Sequence, residues 1–312
     1  MKLNKRNLNL SQMFASTIVL LLLAIPARAY IPPYWMILMR TAKNHGNGAY
    51  IVNEDVSFPN PSDPTQPTLA AHEHWIILSG SQMRVEVDGI GSLKNQLQLT
   101  YVYRWGRRYF ISKTGVRKVK KAPNDWLEPF FNFRNAQAFQ RYAIQKGVTP
   151  PASAASRQQP YSKLHPLPIP EPYMRLSRVD GTVSYAIGKP TPVGATLLPG
   201  LWIKQDQFVV KKIRFPSGAV VLAKGYNLYG DIWLPKSITV TWPNQSATEN
   251  GDSGTGAVTA KAQLTLLNVT AVRPDKLIKK LMDPFQLSIK NGDKPRLMPN
   301  NAVIQSFYTK LR

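Results

Sequence analysis

The chain has no cysteine, which excludes a disulfide framework, a thiolate-ligated metal, a thiol nucleophile and a lipid-modified N-terminal cysteine. Acidic residues are scarce: 17 Asp plus Glu stand against 40 Lys plus Arg, for a formal net charge of +23. So few carboxylates leave little material for an acid/base cleft. Histidine is scarcer still, at four residues, and the chain has no HExxH, GxSxG, SxxK or Walker-type sequence. No stretch supplies the 18 consecutive apolar residues of a bilayer-spanning helix. Proline is abundant instead, at 26 residues, and argues against a helical bundle. With 43% hydrophobic and 10% aromatic residues, the composition is that of a globular protein long enough to bury a sizeable core.

Residues 1–29 read as a signal peptide. Lys2, Lys5 and Arg6 precede an apolar stretch from Phe14 to Ile25, and Ala27-Arg28-Ala29 has the small-x-small form of a cleavage site. Cleavage after Ala29 predicts an exported, periplasmic protein, still strongly basic once the leader is removed. Lack of cysteine suits a compartment in which stray thiols are oxidised.

After the leader, Tyr30 to Lys43 reads as a helix with one apolar face. From Gly48 the period changes to two. Met83, Val85 and Val87 alternate with Arg84, Glu86 and Asp88, and Leu97, Leu99, Tyr101, Tyr103 and Trp105 share a face. Such runs predict an antiparallel meander, apolar on one side and wet on the other. The pattern breaks over about 122–175, where Asp125 and Glu128 have capping-box spacing, Asn135 to Lys146 reads as a helix and a Pro-rich stretch follows. Strand grammar resumes after Arg178 and runs to about Val272, Asp275 to Met282 reads as a short amphipathic helix, and a basic, weakly patterned tail covers about 285–312. The expected fold class is α+β: one strongly curved antiparallel sheet of about nine to eleven strands with helices on its concave side, in a single domain over 30–312.

Several phrases carry a family resemblance. Glu73-His74-Trp75 is followed by Gln82-Met83-Arg84-Val85-Glu86-Val87; Gly200-Leu201-Trp202-Ile203 leads to a hairpin from Phe208 to Phe215; Asp231-Ile232-Trp233-Leu234-Pro235-Lys236 leads into Ile238-Thr239-Val240. Together, and in this order of elements from Trp35 to Met282, they resemble the LolA/LolB-like superfamily of periplasmic lipoprotein and lipid carriers. The resemblance implies an incomplete β-barrel whose cavity holds acyl chains, no cofactor and no enzymatic activity. Strand alternation assigns the cavity face to Trp75, Met83, Val85, Val87, Leu97, Leu99, Tyr101, Tyr103 and Trp105. The lid would be Trp35, Leu38 and Met39 from the first helix and Trp126, Phe130 and Phe133 from the insertion. One departure stands out. In that family an arginine just after a Trp-containing early strand bonds the lid closed, whereas Trp75 is followed by Ile76-Ile77-Leu78-Ser79-Gly80, and Arg84 alternates outward.

The run from Arg104 to Lys121 has eight basic residues and no acidic one. Arg104, Arg107, Arg108, Arg117, Lys118, Lys120 and Lys121 are the expected contacts for an anionic membrane surface or envelope partner. Export removes nucleic acid from consideration, and a monomer is expected. His72-Glu73-His74 puts two imidazoles on one strand face without a visible third ligand, so no metal site is assigned. A sensor or scaffold of the same fold, binding a protein or an anionic envelope polymer through its basic surface, is the alternative to a carrier.

Overall fold

A computed structural model describes residues 31–59, 68–150, 173–188, 200–244 and 258–312. The leader and cleavage site, and the Pro-rich part of the insertion, lie outside the described residues.

The alternating segments form thirteen strands in one antiparallel sheet: β1 Ala49–Phe58, β2 Leu69–Ser79, β3 Gln82–Ile90, β4 Gln98–Arg104, β5 Arg107–Ile111, β6 Arg117–Lys121, β7 Tyr173–Val179, β8 Thr182–Gly188, β9 Gly200–Lys204, β10 Val210–Arg214, β11 Val220–Tyr229, β12 Ile232–Asn244 and β13 Val258–Val272. Their spatial order is β6-β5-β4-β3-β2-β1-β13-β12-β11-β10-β9-β8-β7, so β1 and β13 join two meanders at the centre. β6 and β7 remain as free edges and the barrel is not closed. The β6 edge is RKVKK, exposed along its length, and its like charges oppose pairing with another chain.

Curvature follows from the ring contacts. Tyr103 on β4 stacks on Trp126, which touches Tyr142, which touches Phe130, which touches Phe215 just after β10; no centroid separation in this path exceeds 6.4 Å. β4 and β10 are seven strands apart in the sheet order, roughly 33 Å if the sheet were flat. Four such steps cannot span that width, so the sheet bends into a trough. The architecture is therefore the unclosed half-barrel that the resemblance implies, with more strands than expected. β7, Tyr173–Val179, begins within what reads from sequence as insertion.

Four α-helices complete the described chain: α1 Tyr34–Asn44, α2 Ala136–Gln145, α3 Lys276–Leu281 and α4 Ala302–Lys310. α1 reaches the β9–β10 hairpin, where the Asn44 side-chain amide donates to the carbonyls of Gln207 and Phe208 at 2.6 and 3.2 Å. α2 starts at Asn135, whose Oδ1 accepts from the Ala138 amide at 3.0 Å. That is the cap expected of an Asn preceding an amphipathic run. The capping box at Asp125 does not form. Glu128 opens a single 3-10 turn, Glu128–Phe131, and both acids have partners elsewhere: Asp125 accepts from the Ser217 hydroxyl at 2.7 Å and Glu128 pairs with Arg312.

The tail is the largest departure from expectation, because it packs on both faces of the sheet. Ile278 and Met282 bury themselves against Ile76 on the convex face, and Leu287 joins Val102, Tyr109 and Ile111 there. The convex side of β2–β5 is thus covered rather than wet. The chain then passes between β4 and β5, whose ladder spans only Val102 to Arg104. The Arg296 amide donates to the Ile111 carbonyl at 2.7 Å, and Leu297 exchanges hydrogen bonds with Gln98. Beyond this passage, α4 lies in the trough with Ile304, Phe307 and Tyr308 fully buried, as are the following Leu311 and Arg312.

Candidate functional site

The concave face is built from alternate residues that the ladders hold in register: Val52, Glu54 and Val56 on β1 oppose Trp75, Glu73 and Ala71 on β2, and Trp75 and Glu73 oppose Val85 and Val87 on β3. Met83, Val85, Val87, Leu97, Leu99, Tyr101 and Tyr103 are all at or below 1% exposure, as is Trp75. They share one face, as the alternation predicts, but they do not line an open cavity. α4 and the Trp126–Phe133 segment cover them, and the space left beside Trp75, beneath Phe131 and Leu234, is about 30 Å³. That holds about one water and no acyl chain.

Three of the expected placements are corrected. Trp105 is not on the concave face: Trp105 and Gly106 both have positive φ, 54° and 70°, and form the two-residue turn between the paired Arg104 and Arg107. Such a turn turns its residues outward, and Trp105 is 59% exposed. Arg108 is not a surface contact but is 4% exposed. It is paired with Tyr103 across the β4–β5 ladder and so shares the concave face, where it donates to the Tyr308 carbonyl at 2.8 Å and to the Arg312 carbonyl. Met39 faces away from the α1 core, 48% exposed. The other lid residues divide: Leu38, Trp126 and Phe130 are buried, whereas Trp35 and Phe133 are half-buried. Phe133 lies so close to the β2–β3 turn that a Cβ at Gly80 would come within 2.6 Å of its ring, which explains a glycine there.

Amid this apolar lining sits a charged cluster that the alternation alone does not reveal. Arg312 is fully buried, and its guanidinium meets Glu54 at 2.9 Å, Glu73 at 3.1 Å and Glu128. The Trp75 indole N–H donates to both Glu54 and Glu73, at 3.0 and 2.9 Å, and the guanidinium lies 5.2 Å from the centroids of both Trp75 and Phe307. A register shift between β1 and β13 falls at Asn53/Glu54, a bulge of the kind found next to sites that need a side chain aimed. Burial pushes the Glu54 carboxyl well above its ordinary value against the pull of Arg312, with Glu73 and Glu128 adding to the rise. Burial raises Glu128 as well. Three carboxyls around one guanidinium are an excess of negative charge in a dry site, and a proton held on Glu54 reduces it. One arginine thus holds the covering helix to β1, β2 and the insertion. No arginine follows Trp75 on β2, and the guanidinium in the trough comes instead from Arg312.

Of the basic run, Arg107, Arg117, Lys118, Lys120 and Lys121 are exposed and Arg104 is half-buried. Arg104 lies over the Trp105 ring at 4.3 Å and Arg117 over the Phe285 ring at 5.1 Å. Around that corner Phe285 is 60%, Val116 51%, Ile289 49% and Val119 47% exposed. The two strand histidines hydrogen-bond across to β1, His72 to Asp55 at 2.9 Å and His74 to Asn53 at 2.7 Å. No helix among the described residues is long and apolar enough to cross a membrane.

In whole-structure comparison the chain is similar to a LolA superfamily protein from Nitrosomonas europaea, at 10% identity and a TM-score of 0.46, with 82% of this chain and all of that one covered. A putative outer membrane lipoprotein-sorting protein domain from Vibrio parahaemolyticus shares 11% identity with a TM-score of 0.41, covering 76% of this chain and 91% of that one. A DUF1329 family protein from Desulfovibrio piger gives 8%, a TM-score of 0.44 and the same coverage. No family model and no curated protein matches the sequence.

Proposed function

We propose that this is an exported, non-enzymatic carrier that takes lipid, or the acyl chains of lipoproteins, into the trough of the half-barrel, with α4 as the resident plug that cargo displaces. The observation that carries the reading is the plug itself. An apolar trough is covered by a helix whose polar anchorage to the sheet runs through the Arg312 cluster, Arg108 and the Trp242 indole, which donates to Ser306 at 3.0 Å. A long acyl chain moved from water into such a trough gains on the order of 10 kcal/mol, at about 0.8 kcal/mol per CH₂. Displacing the helix breaks a buried ion-pair cluster, at about 3–5 kcal/mol, and requires the apolar contacts of Ile304, Phe307 and Leu311 to be replaced.

The exposed aromatic and basic corner supports delivery at an anionic membrane surface. A tryptophan held at positive φ is strained, and strain that persists at an exposed tip is a sign of use. Trp105 and Phe285 flanked by Arg104 and Arg117 have the chemistry of the interfacial belt, where aromatic rings sit at headgroup level and cations meet anionic lipid.

Lipid extraction and mass spectrometry on residues 30–312, purified without detergent from the periplasm of a host, test the carrier. Acyl species are expected in stoichiometric amount in wild type or in Arg312→Gln, and are expected to vanish in Leu99→Glu. Folded wild type and Arg312→Gln that both lack lipid would overturn it and favour the sensor or scaffold reading, to which a filled trough is equally suited.

A further inference from the structure

At the end of the trough where α4 finishes, the two wings of the sheet approach each other over a cavity of about 550 Å³, within the size range of small-molecule sites. One wall is Lys120 and Lys121 of β6 with the Ala122–Asp125 segment; the opposite wall is Ser217, Trp242 and Pro243; the floor is Arg108, Thr309, Lys310 and Leu311. Arg108, Lys120 and Lys121 belong to the basic run expected to meet an anionic surface, but the carrier reading does not use the cavity they border.

Its charge is one-sided. Lys120, Lys121 and Lys310 are exposed, and among the described residues none of them, nor Arg108, lies within ion-pair distance of a carboxylate. Arg108 donates to the main-chain oxygens of Tyr308 and Arg312. The acid in the lining, Asp125, is 7% exposed and accepts from Ser217; burial raises its value, while Ser217 and the charges of Lys146 and Lys310 pull it down. Lys146 adds a further positive group behind the wall, its ammonium donating to the Pro123 carbonyl. Apolar Ala122, Pro123, Trp242, Pro243 and Leu311 share the rest of the lining with Asn124, Ser217 and Thr309.

We propose that this cavity binds the phosphate group of an anionic phospholipid, with Lys120, which shares the face of Arg108, and Lys310 on the phosphate oxygens, Lys121 at the rim, and the glyceryl carbons against Pro123, Trp242 and Pro243. Two ammonium groups from separate elements, Lys120 of β6 and Lys310 of α4, act as point charges that a phosphate can bridge, and Lys121 adds positive charge at the rim. The apolar wall distinguishes a lipid headgroup from free phosphate. The proposal deepens the carrier reading by naming the class of cargo and rests on it for the lipid's origin; because α4 supplies Lys310, the site is that of the docked state, met by the headgroup before the helix is displaced.

Calorimetric titration of the mature protein, residues 30–312, with three probes tests it: dioctanoyl phosphatidylglycerol, glycerol phosphate and dioctanoylglycerol. The phospholipid is expected to bind at least tenfold more tightly than glycerol phosphate, and the Lys120→Gln, Lys121→Gln, Lys310→Gln variant to lose at least tenfold of that affinity with its unfolding midpoint unchanged. Dioctanoylglycerol binding should be unaffected by the triple variant. Equal affinity for the phospholipid and glycerol phosphate would overturn the lipid assignment in favour of a free phosphate ester. Phospholipid binding that survives the triple variant would overturn the site while leaving the carrier standing. Binding of the phospholipid at this site with no acyl species in the extraction experiment would remove the carrier and leave the site.

Discussion

The C-terminal segment anchors itself once on each face of the sheet, and the two anchors are charge-reversed. On the convex side the sheet supplies the cation: Arg84 donates to Asp293 of the segment at 2.6 Å, to Glu86 at 2.7 Å and to the Leu281 carbonyl at 3.3 Å. On the concave side the segment supplies the cation, and Arg312 meets three glutamates at no solvent exposure. The convex anchor keeps a route to water through Glu86, whose side chain is 27% exposed. The difference teaches that similar ion pairs can serve unlike ends. The convex one is buried at Arg84 and Asp293, 4% exposed each, and opens to water at Glu86. The concave one is a sealed contact, stable only when complete, which suits a part that is either in or out.

The largest expected effect comes from breaking the sealed contact. Arg312→Met leaves three buried carboxyls without their cation and should cost about 3–5 kcal/mol, read by urea unfolding and by faster hydrogen exchange in Ala302–Lys310. Combining it with Glu54→Leu, Glu73→Leu and Glu128→Leu should return most of that loss, since a packed apolar group in place of a buried ion pair is often neutral. Asp293→Asn tests the other anchor: Glu86 and Leu281 still satisfy Arg84, and the expected loss is about 1–2 kcal/mol, with exchange raised near Ser288 and not in α4.

Acidity sharpens the contrast by sign. Glu54 and Glu128 have folded values raised above 4.5, so their contribution is full below that pH and is lost as pH rises through the folded values. Glu86 moves the other way. Burial pulls its value upward, but the Arg84 hydrogen bond and the charges of Arg84, Lys294 and His74 outweigh it and hold it low. Its contribution is present above 4.5 and lost as pH falls. Amide exchange corrected for its intrinsic rate should therefore loosen α4 toward higher pH and Ser288–Lys294 toward lower pH; a common direction would refute the assignment. The smallest effect is at the tip: Trp105→Asn relieves the positive-φ strain and should stabilise by up to about 1 kcal/mol, while lowering binding to phosphatidylglycerol vesicles in a sedimentation assay.

Much of the sheet was legible because alternation is dictated by a pleat with one buried face. Leu97 to Tyr103 and Met83 to Val87 fall where the period of two puts them. The charged cluster was only half legible. Glu54 is in phase with Val52 and Val56, and Glu73 with Ala71 and Trp75, so a polar residue on the apolar register was the available signal. The matching arginine stands 239 residues from Glu73, in a tail with no periodicity to place it. Trp105 was misplaced because alternation was extended one residue past Arg104 into the turn. Arg84 does point outward, but whether outward means wet depended on α3 and the Pro284–Gln286 turn, which no local pattern on β3 encodes.

The central pairing of β1 with β13, from Ala49↔Val272 to Ser57↔Gln263, sets an order of events in folding. Each meander closes through local hairpins, but the seam that joins them needs residues more than 200 positions apart, the kind of contact that makes folding slow. The plug comes later still in the chain. During synthesis β1 therefore waits with an open edge and the trough with an uncovered apolar floor, in a chain with 13 tyrosines and 11 phenylalanines and every reason to aggregate. Between the emergence of Phe58 and that of Ile304, Phe307 and Tyr308 the apolar floor stands without its cover.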